Sequence, residues 1–228
     1  MADWRNDAEL FSLLRSELST ALVGDVLDLM GYQNCFLPPR FYPLRADMVV
    51  IGRAMTVLEA DCCGRRLGAS GEEKAFGLMF EALDSLKQGE VYICAGGSPD
   101  YARWGGLMST RAKILGAAGA VLDGYSRDSR QILQLDFPTF SRGSYAQDQG
   151  PRGRVVDHHC PLRFENGAEV QPGSLIFADD GGVLVIPPSV EEEAVGRALE
   201  KARGENKVAE AIKTGMSTQE AFRIFGIM

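Results

Sequence analysis

Hydrophobic positions along the chain alternate between helical spacing and the continuous runs that are typical of buried strands. Near the N-terminus three leucines recur at intervals of four residues: Leu10, Leu14 and Leu18. This spacing predicts an amphipathic helix, and Ser19-Thr20 can cap a second one that ends near Gly31. Three prolines in the segment that follows predict irregular structure: Pro38, Pro39 and Pro43.

The middle of the chain predicts a strand, a helix and another strand. Residues 48–58 are rich in Val, Ile, Met and Thr and predict a strand that contains Gly52. A further amphipathic helix, which ends at Gly89, is indicated by large apolar residues at helical spacing: Phe76, Met79, Phe80, Leu83 and Leu86. A short buried strand is predicted over Val91–Ala95.

The next segment predicts a βαβ unit with parallel strands. After a loop over Gly96–Arg103, a helix is expected from Gly106 to about Ala118, followed by a buried strand over Ala120–Gly124. Four residues of this helix are expected on one face: Leu107, Ile114, Leu115 and Ala118. The strand Val91–Ala95 completes the unit.

Downstream, short strands alternate with turns, and the chain ends in helices. Turns are expected at Phe164–Gly167, at Pro172-Gly173 and at Gly181-Gly182. A long helix is expected after Pro187-Pro188-Ser189, and a short one around residues 217–225. The sequence predicts a single α/β domain with a mixed sheet over residues 1–228. Its N-terminal helices span about 7–31, its core about 45–187 and its C-terminal helices about 189–225.

Composition and charge narrow the class of function. With 31 acidic and 24 basic residues, the net charge is −7, and there is no basic tract to neutralise nucleic-acid phosphates. No apolar run reaches the roughly 20 residues that cross a bilayer, and the first residues lack the features of a secretory signal. Five cysteines form no even framework and favour reduced thiols. We therefore expect a cytoplasmic protein that binds neither nucleic acid nor membrane.

The βαβ unit predicts where chemistry can occur. In such a unit the start of the helix lies at the edge where the parallel strands end. The amides of Gly106, Leu107 and Met108 should therefore lie near Arg127-Asp128, which follows the second strand. A helix start binds small anions, a guanidinium adds a planar donor fork, and a carboxylate can ligate Mg²⁺. A plain salt bridge or helix cap is the structural alternative for Arg127-Asp128.

Three blocks of sequence carry a resemblance to a known family. The first runs from Gly116 to Asp128, the second is Leu135–Phe140, and the third runs from Pro172 to Pro187. Together with the spacing from Gly106 to Arg127-Asp128, they resemble the RraA-like family. That family includes the regulator of ribonuclease activity A and the aldolases for 4-hydroxy-4-methyl-2-oxoglutarate and 4-carboxy-4-hydroxy-2-oxoadipate.

The resemblance implies a fold and a site. It implies a single-domain α-β-β-α sandwich of the swivelling phosphohistidine-domain type, assembled as a homotrimer or homohexamer with sites between subunits. It also implies that Asp128 ligates Mg²⁺ or another divalent cation such as Mn²⁺, and that Arg127 is catalytic and binds the 2-oxo group of the substrate. The amides of Gly105, Gly106, Leu107 and Met108 would hold the carboxylate of a pyruvate unit. Glu205, contributed by a neighbouring subunit, would be a second catalytic residue.

Two positions depart from the aldolase pattern. Gly106 stands where the aldolases carry an aspartate that orders metal-bound water, and Gln131 stands where an acidic residue is common. Three hypotheses follow. The first is a magnesium-dependent aldolase that cleaves a 4-hydroxy-2-oxo acid to pyruvate and decarboxylates oxaloacetate as a side activity. The second is a non-catalytic regulator that binds a ribonuclease or another protein partner. The third is an enzyme that applies the same chemistry to a sugar-acid derivative.

Another cluster of possible ligands is better explained without a metal. His158, His159 and Cys160, together with the pair Cys62-Cys63, contain zinc-binding residue types. Their spacing lacks the paired ligands of a structural zinc site, so we expect a non-metal role.

Overall fold

The computed structural model describes residues 4–62 and 76–226, and Cys63 lies outside these ranges. Its helices are α1 (Asp7–Glu17), α2 (Thr20–Leu29), α3 (Met79–Asp84), α4 (Gly106–Ile114), α5 (Ser129–Gln134), α6 (Glu191–Lys213) and α7 (Thr218–Phe225). Its strands are β1 (Tyr42–Pro43), β2 (Val50–Asp61), β3 (Glu90–Ala95), β4 (Ala102–Trp104), β5 (Gly119–Leu122), β6 (Tyr125–Ser126), β7 (Thr139–Ser141), β8 (Gly153–His158), β9 (Leu162–Arg163), β10 (Glu169–Val170), β11 (Leu175–Asp179) and β12 (Gly182–Ile186).

One mixed sheet organises the chain. Its strand order is β1-β7-β5-β3-β2-β11-β12, and β8 pairs with the second half of the long strand β2. Strands β7, β5, β3 and β2 are parallel neighbours, whereas β11 and β8 pair with β2 in antiparallel fashion. The β3–α4–β5 segment is therefore the predicted βαβ unit. The hairpins β9–β10 and β11–β12 confirm the turns expected at residues 164–167 and 181–182.

Side chains alternate between a shared inner core and two outer helical layers. In β2, Val50 and Ala54 face the inner core, whereas Ile51 packs against α1, α2 and α6, and Met55 packs against α3–α5. The sheet therefore curls around one apolar interior and carries a helical layer on each outer side. This arrangement is the α-β-β-α sandwich that the resemblance implies, in a single mixed α/β domain.

The expected N-terminal helices are present. Leu10 and Leu14 are fully buried in α1, as their spacing predicts. Asn6 caps α1 and Ser19 caps α2, each accepting a hydrogen bond from a backbone amide three residues later.

Two predicted segments differ in their bounds. The prediction of a loop over Gly96–Arg103 is wrong at its C-terminal end, because Ala102–Trp104 forms β4, which pairs with β6. Such a short parallel pair has too few residues to show a strand pattern. The irregular segment contains the two-residue strand β1, and Pro43 is tolerated there because β1 lies at the edge of the sheet.

Two predicted helices are shorter than expected. Helix α3 begins only at Met79, since Phe76 has a φ of +66° and its carbonyl accepts a hydrogen bond from Val155 at 3.1 Å. Helix α4 ends at Ile114, because Gly116 follows in the left-handed conformation. The predicted face of α4 is not a buried one: Leu107 is 82% exposed and Ile114 is 72% exposed.

No helix among residues 4–62 and 76–226 combines the length and the apolar character that a membrane span needs.

Candidate functional site

A cavity of about 290 Å³ lies beside the start of α4, at the edge where β3 and β5 end. Its lining comes from residues 76–83, 102–108, 127–128 and 148–149. The topology brings these four segments together, because β4 and β6 pair side by side and the amide of Arg127 donates to the carbonyl of Trp104 at 2.9 Å. This contact places Arg127-Asp128 against the start of the helix, as the βαβ unit predicts.

Asp128 is positioned by an unusual backbone conformation. Its φ of +58° places it in the left-handed region, where it precedes α5 and turns its side chain toward α4. Its Oδ2 accepts a hydrogen bond from the amide of Gly106 at 3.2 Å. Gly105 permits this approach, because a Cβ at that position would lie 2.9 Å from the same oxygen. One of the amides predicted to bind substrate is thus already used by Asp128.

Arg127 makes an ion pair that the sequence does not predict. Its Nη1 lies 2.8 Å from Oδ1 of Asp148, and its Nε lies 3.9 Å from Oδ2 of Asp128. The side chains of all three residues are between 41% and 48% exposed. Asp148 belongs to the segment between β7 and β8, in which no sequence motif indicates a functional residue. At the cavity, the guanidinium of Arg127 therefore lies between two carboxylates.

The two departures from the aldolase pattern occupy the same space. A Cβ at Gly106 would lie 2.0 Å from Oε1 of Gln131 and 2.4 Å from its Cδ. The side chain of Gln131 therefore fills the volume that an aspartate at position 106 would need. Gly106 and the side chain of Gln131 are therefore sterically complementary. An acidic side chain at position 106 would require Gln131 to move.

A buried polar cluster adjoins the cavity lining. Gln149 is 3% exposed, and its Nε2 donates to Oε2 of Glu59 at 3.0 Å. The same oxygen lies 3.5 Å from Nε of Arg103, whose Nη2 donates to the carbonyl of Ser98 at 2.8 Å. Burial raises the pKa of Glu59 to about 7, although the charge of Arg103 opposes the shift. The sequence alone predicts none of these roles.

The remaining candidates lie elsewhere. Glu205 is in α6, within the helical layer of α1 and α2, with its Oε1 3.7 Å from Nζ of Lys201. It is not among the residues that line the cavity. His158 and His159 contact each other through their Nδ1 atoms at 2.7 Å. No group of three or more His, Cys, Asp or Glu side chains that could hold a metal occurs in the described parts of the chain.

Asp128 has the properties of a ligand for a hard cation that binds mostly through water and substrate. It is a half-exposed carboxylate in a cavity, and only Oδ2 is used by the contact with Gly106. Magnesium commonly takes one or two protein carboxylates and completes its shell with water or substrate oxygens. The residues present therefore fit Mg²⁺ or Mn²⁺, and Asp128 would be the protein ligand.

Replacing Asp148 by alanine is expected to weaken the binding of a small 2-oxo acid about tenfold. Without this carboxylate, the long side chain of Arg127 loses the partner that fixes its position. Because Asp148 is 42% exposed, folding should be little affected. Calorimetric titration with pyruvate and Mg²⁺ would measure the change, with Asp180→Ala as an exposed control. Unchanged affinity would show that Asp148 does not position Arg127.

The fold and the site define a class: an α/β protein with a curled sheet, whose charged cavity opens where parallel strands end. The chain belongs to the RraA-like family, whose sequence profile, described as Aldolase/RraA, matches residues 20–185.

Relatives agree with this assignment, and solved structures share the fold. A protein of Halalkalibacterium halodurans named "Putative 4-hydroxy-4-methyl-2-oxoglutarate aldolase" is 31% identical over 206 residues, 90% of each chain. Protein DlpA of Legionella pneumophila is 30% identical over 204 residues, and the match spans 89% of this chain but only 32% of DlpA. An uncharacterised protein of Pseudomonas syringae has a TM-score of 0.83 at 25% identity, covering 98% of this chain and 97% of its own. RraAS2 of Streptomyces coelicolor shares the fold, with a TM-score of 0.75 at 24% identity and coverage of 89% and 96%.

Proposed function

We propose that this protein is a magnesium-dependent lyase that cleaves a 4-hydroxy-2-oxo acid and releases pyruvate. The observation that carries the proposal is the convergence of Arg127, Asp128 and the start of α4 in one cavity. Relatives named as putative aldolases for 4-hydroxy-4-methyl-2-oxoglutarate support the reaction type. Decarboxylation of oxaloacetate would be a side activity, because it places the same negative charge on the 2-oxo oxygen.

Each residue has a distinct role in the proposed reaction. Asp128 would hold Mg²⁺, which when bound acts as a Lewis acid toward the 2-oxo group. Arg127 would donate to the same oxygen, where negative charge develops as the C3–C4 bond breaks. The C4 hydroxyl loses its proton and becomes the carbonyl of the second product, and C3 takes up a proton from solvent to complete pyruvate. The amides of Leu107 and Met108 lie at the start of α4 and would bind the carboxylate of the substrate. Gly105 and Gly106 contribute by letting Asp128 and Gln131 approach the backbone closely.

A homo-oligomer, either a trimer or a hexamer, is part of the proposal. Among the described residues, three large apolar side chains are more than 70% exposed: Leu29 (81%), Leu107 (82%) and Ile114 (72%). Two of them lie on α4, and Leu107 also lines the cavity. Contact with a second copy would cover these side chains, and it could bring Glu205 of a neighbouring copy to the site as the second catalytic residue.

The proposed lyase is tested by the exchange of the pyruvate methyl protons in D₂O, followed by proton NMR. Exchange requires the negative charge that Arg127 and the cation stabilise, and it needs no knowledge of the distal half of the substrate. We expect the exchange to depend on added Mg²⁺ and to stop when the metal is chelated. Pyruvate that keeps its methyl protons with Mg²⁺ present would contradict the proposal.

The alternative is a non-catalytic regulator that binds a ribonuclease or another protein. It is favoured by Gly106 and Gln131, which leave an aldolase without the acids expected at these two positions. If pyruvate exchange is absent and a ribonuclease is recovered by affinity capture from extract, this alternative replaces the lyase.

A further inference from the structure

Much of the lining of the cavity is apolar. Six side chains from the segment around α3 and from α4 contribute to it: Phe76, Met79, Phe80, Leu83, Leu107 and Met108. Trp104 also lines the cavity, and its single polar atom is used elsewhere, since Nε1 donates to Oγ of Ser109 at 2.6 Å. A substrate that reaches past Arg127 and Asp128 therefore meets hydrocarbon and aromatic surface.

The cations near the cavity are already paired. Arg127 contacts Asp148 at 2.8 Å, and Arg103 lies 3.5 Å from Glu59 and donates to the carbonyl of Ser98. Among the lining residues, these two arginines are the cationic ones. Arg127 is needed for the 2-oxo group, and Arg103 is fully buried. Within residues 4–62 and 76–226, a second carboxylate on the substrate would therefore lie against apolar side chains and the two carboxylates Asp128 and Asp148.

The volume suits a substrate with an apolar distal group. An apolar cavity of about 150 Å³ is sufficient for one benzene molecule. The cavity here measures about 290 Å³, which leaves room for a 2-oxo acid unit at the charged end and an alkyl or aryl group along the wall.

We propose that the substrate is a 4-hydroxy-2-oxo acid whose distal half is an alkyl or aryl group rather than a second carboxylate. This inference rests on the proposed lyase function and specifies its substrate class. The charged end of the cavity binds the reacting half, and burial of the distal group against Phe76, Met79 and Leu83 supplies the selectivity.

The test compares two 2-oxo acids with the same reacting end and different distal ends. 2-Oxohexanoate ends in an alkyl group, whereas 2-oxoglutarate ends in a carboxylate. Trp4→Phe leaves Trp104 as the only tryptophan, and its fluorescence reports binding in the cavity. With Mg²⁺ present, we expect 2-oxohexanoate to bind at least tenfold more tightly than 2-oxoglutarate.

A variant that adds a cation at the apolar wall should reverse the preference. Phe80 is 56% exposed at the cavity, so Phe80→Arg can be accommodated and would offer a partner to a distal carboxylate. We expect the ratio of affinities to fall at least tenfold in this variant. Leu29→Arg adds the same charge at a residue that is 81% exposed and does not line the cavity, and it should leave the ratio unchanged.

The outcomes separate this inference from the function on which it rests. Equal affinity, or tighter binding of 2-oxoglutarate by the protein with Phe80, would overturn the apolar-substrate inference and leave the lyase standing. If neither acid changes the fluorescence and pyruvate also fails to exchange, both proposals are wrong.

Discussion

Replacing Asp128 by asparagine is expected to reduce the Mg²⁺-dependent exchange of pyruvate methyl protons by at least about a hundredfold, the magnitude typical of losing one charge-stabilising group. Asparagine keeps the size of the side chain and is tolerated at the φ of +58° found here, so the backbone should not change. It removes the negative charge that would hold the cation. The measurement is proton NMR of pyruvate in D₂O at several Mg²⁺ concentrations.

The metal dependence distinguishes loss of a ligand from loss of the fold. A variant without its cation ligand should recover part of its activity at high Mg²⁺ concentration, whereas an unfolded variant should not. Arg127→Ala should lower exchange by a similar factor without this recovery, because Arg127 acts on the 2-oxo oxygen and not on the cation. Arg130→Ala, in the helix that follows Arg127-Asp128, is a matched control. Full exchange in the Asp128 variant would exclude Asp128 as the metal ligand.

The sequence predicts those features of the site that follow from the topology of the sheet. A helix between two parallel strands must start at the edge where those strands end, so the positions of Gly106 and of Arg127-Asp128 follow from the order of the elements. The structure places these residues in one cavity for that reason, with Oδ2 of Asp128 3.2 Å from the amide of Gly106. The roles in metal binding and catalysis remain predictions.

The sequence does not predict contacts that loops make across the fold. Asp148 and Gln149 lie in a segment between β7 and β8 without a periodic pattern, and their partners are distant in sequence: Arg127 and Glu59. The exposure of the apolar face of α4 has a related cause. Apolar residues at helical spacing usually mark a buried face, but Leu107 and Ile114 are exposed in the single chain. Helical spacing alone cannot distinguish a face that covers the core from one that a second copy could cover.

Replacing Glu59 by glutamine is expected to destabilise the protein by about 1–3 kcal/mol at pH 5, the cost of leaving buried hydrogen-bonding groups imperfectly paired. The side chains of Glu59 and Arg103 are 1% and 0% exposed. Nε and Nη1 of Arg103 already lack hydrogen-bond partners among the described residues. Because the pKa of Glu59 is raised to about 7, the stability that its carboxyl contributes is largely present at pH 5 and is lost as pH rises through 7. Glutamine does not titrate, so the loss should be smaller at pH 8 than at pH 5. Urea unfolding at both pH values measures it.

Replacing Arg103 by methionine should instead give a loss that grows with pH. Burial already raises the pKa of Glu59 to about 7, and removing the cation raises it further. The stability linked to a raised carboxyl pKa is fully present below the ordinary value near 4.5 and is lost as pH rises through the folded-state pKa. Arg103→Met should therefore cost little at pH 5, where Glu59 takes up a proton, and more at pH 8. The double variant should be more stable than Glu59→Gln alone, because it leaves no unpaired charge. Equal losses in both single variants at both pH values would show that packing, and not the buried charge, determines the stability of this cluster.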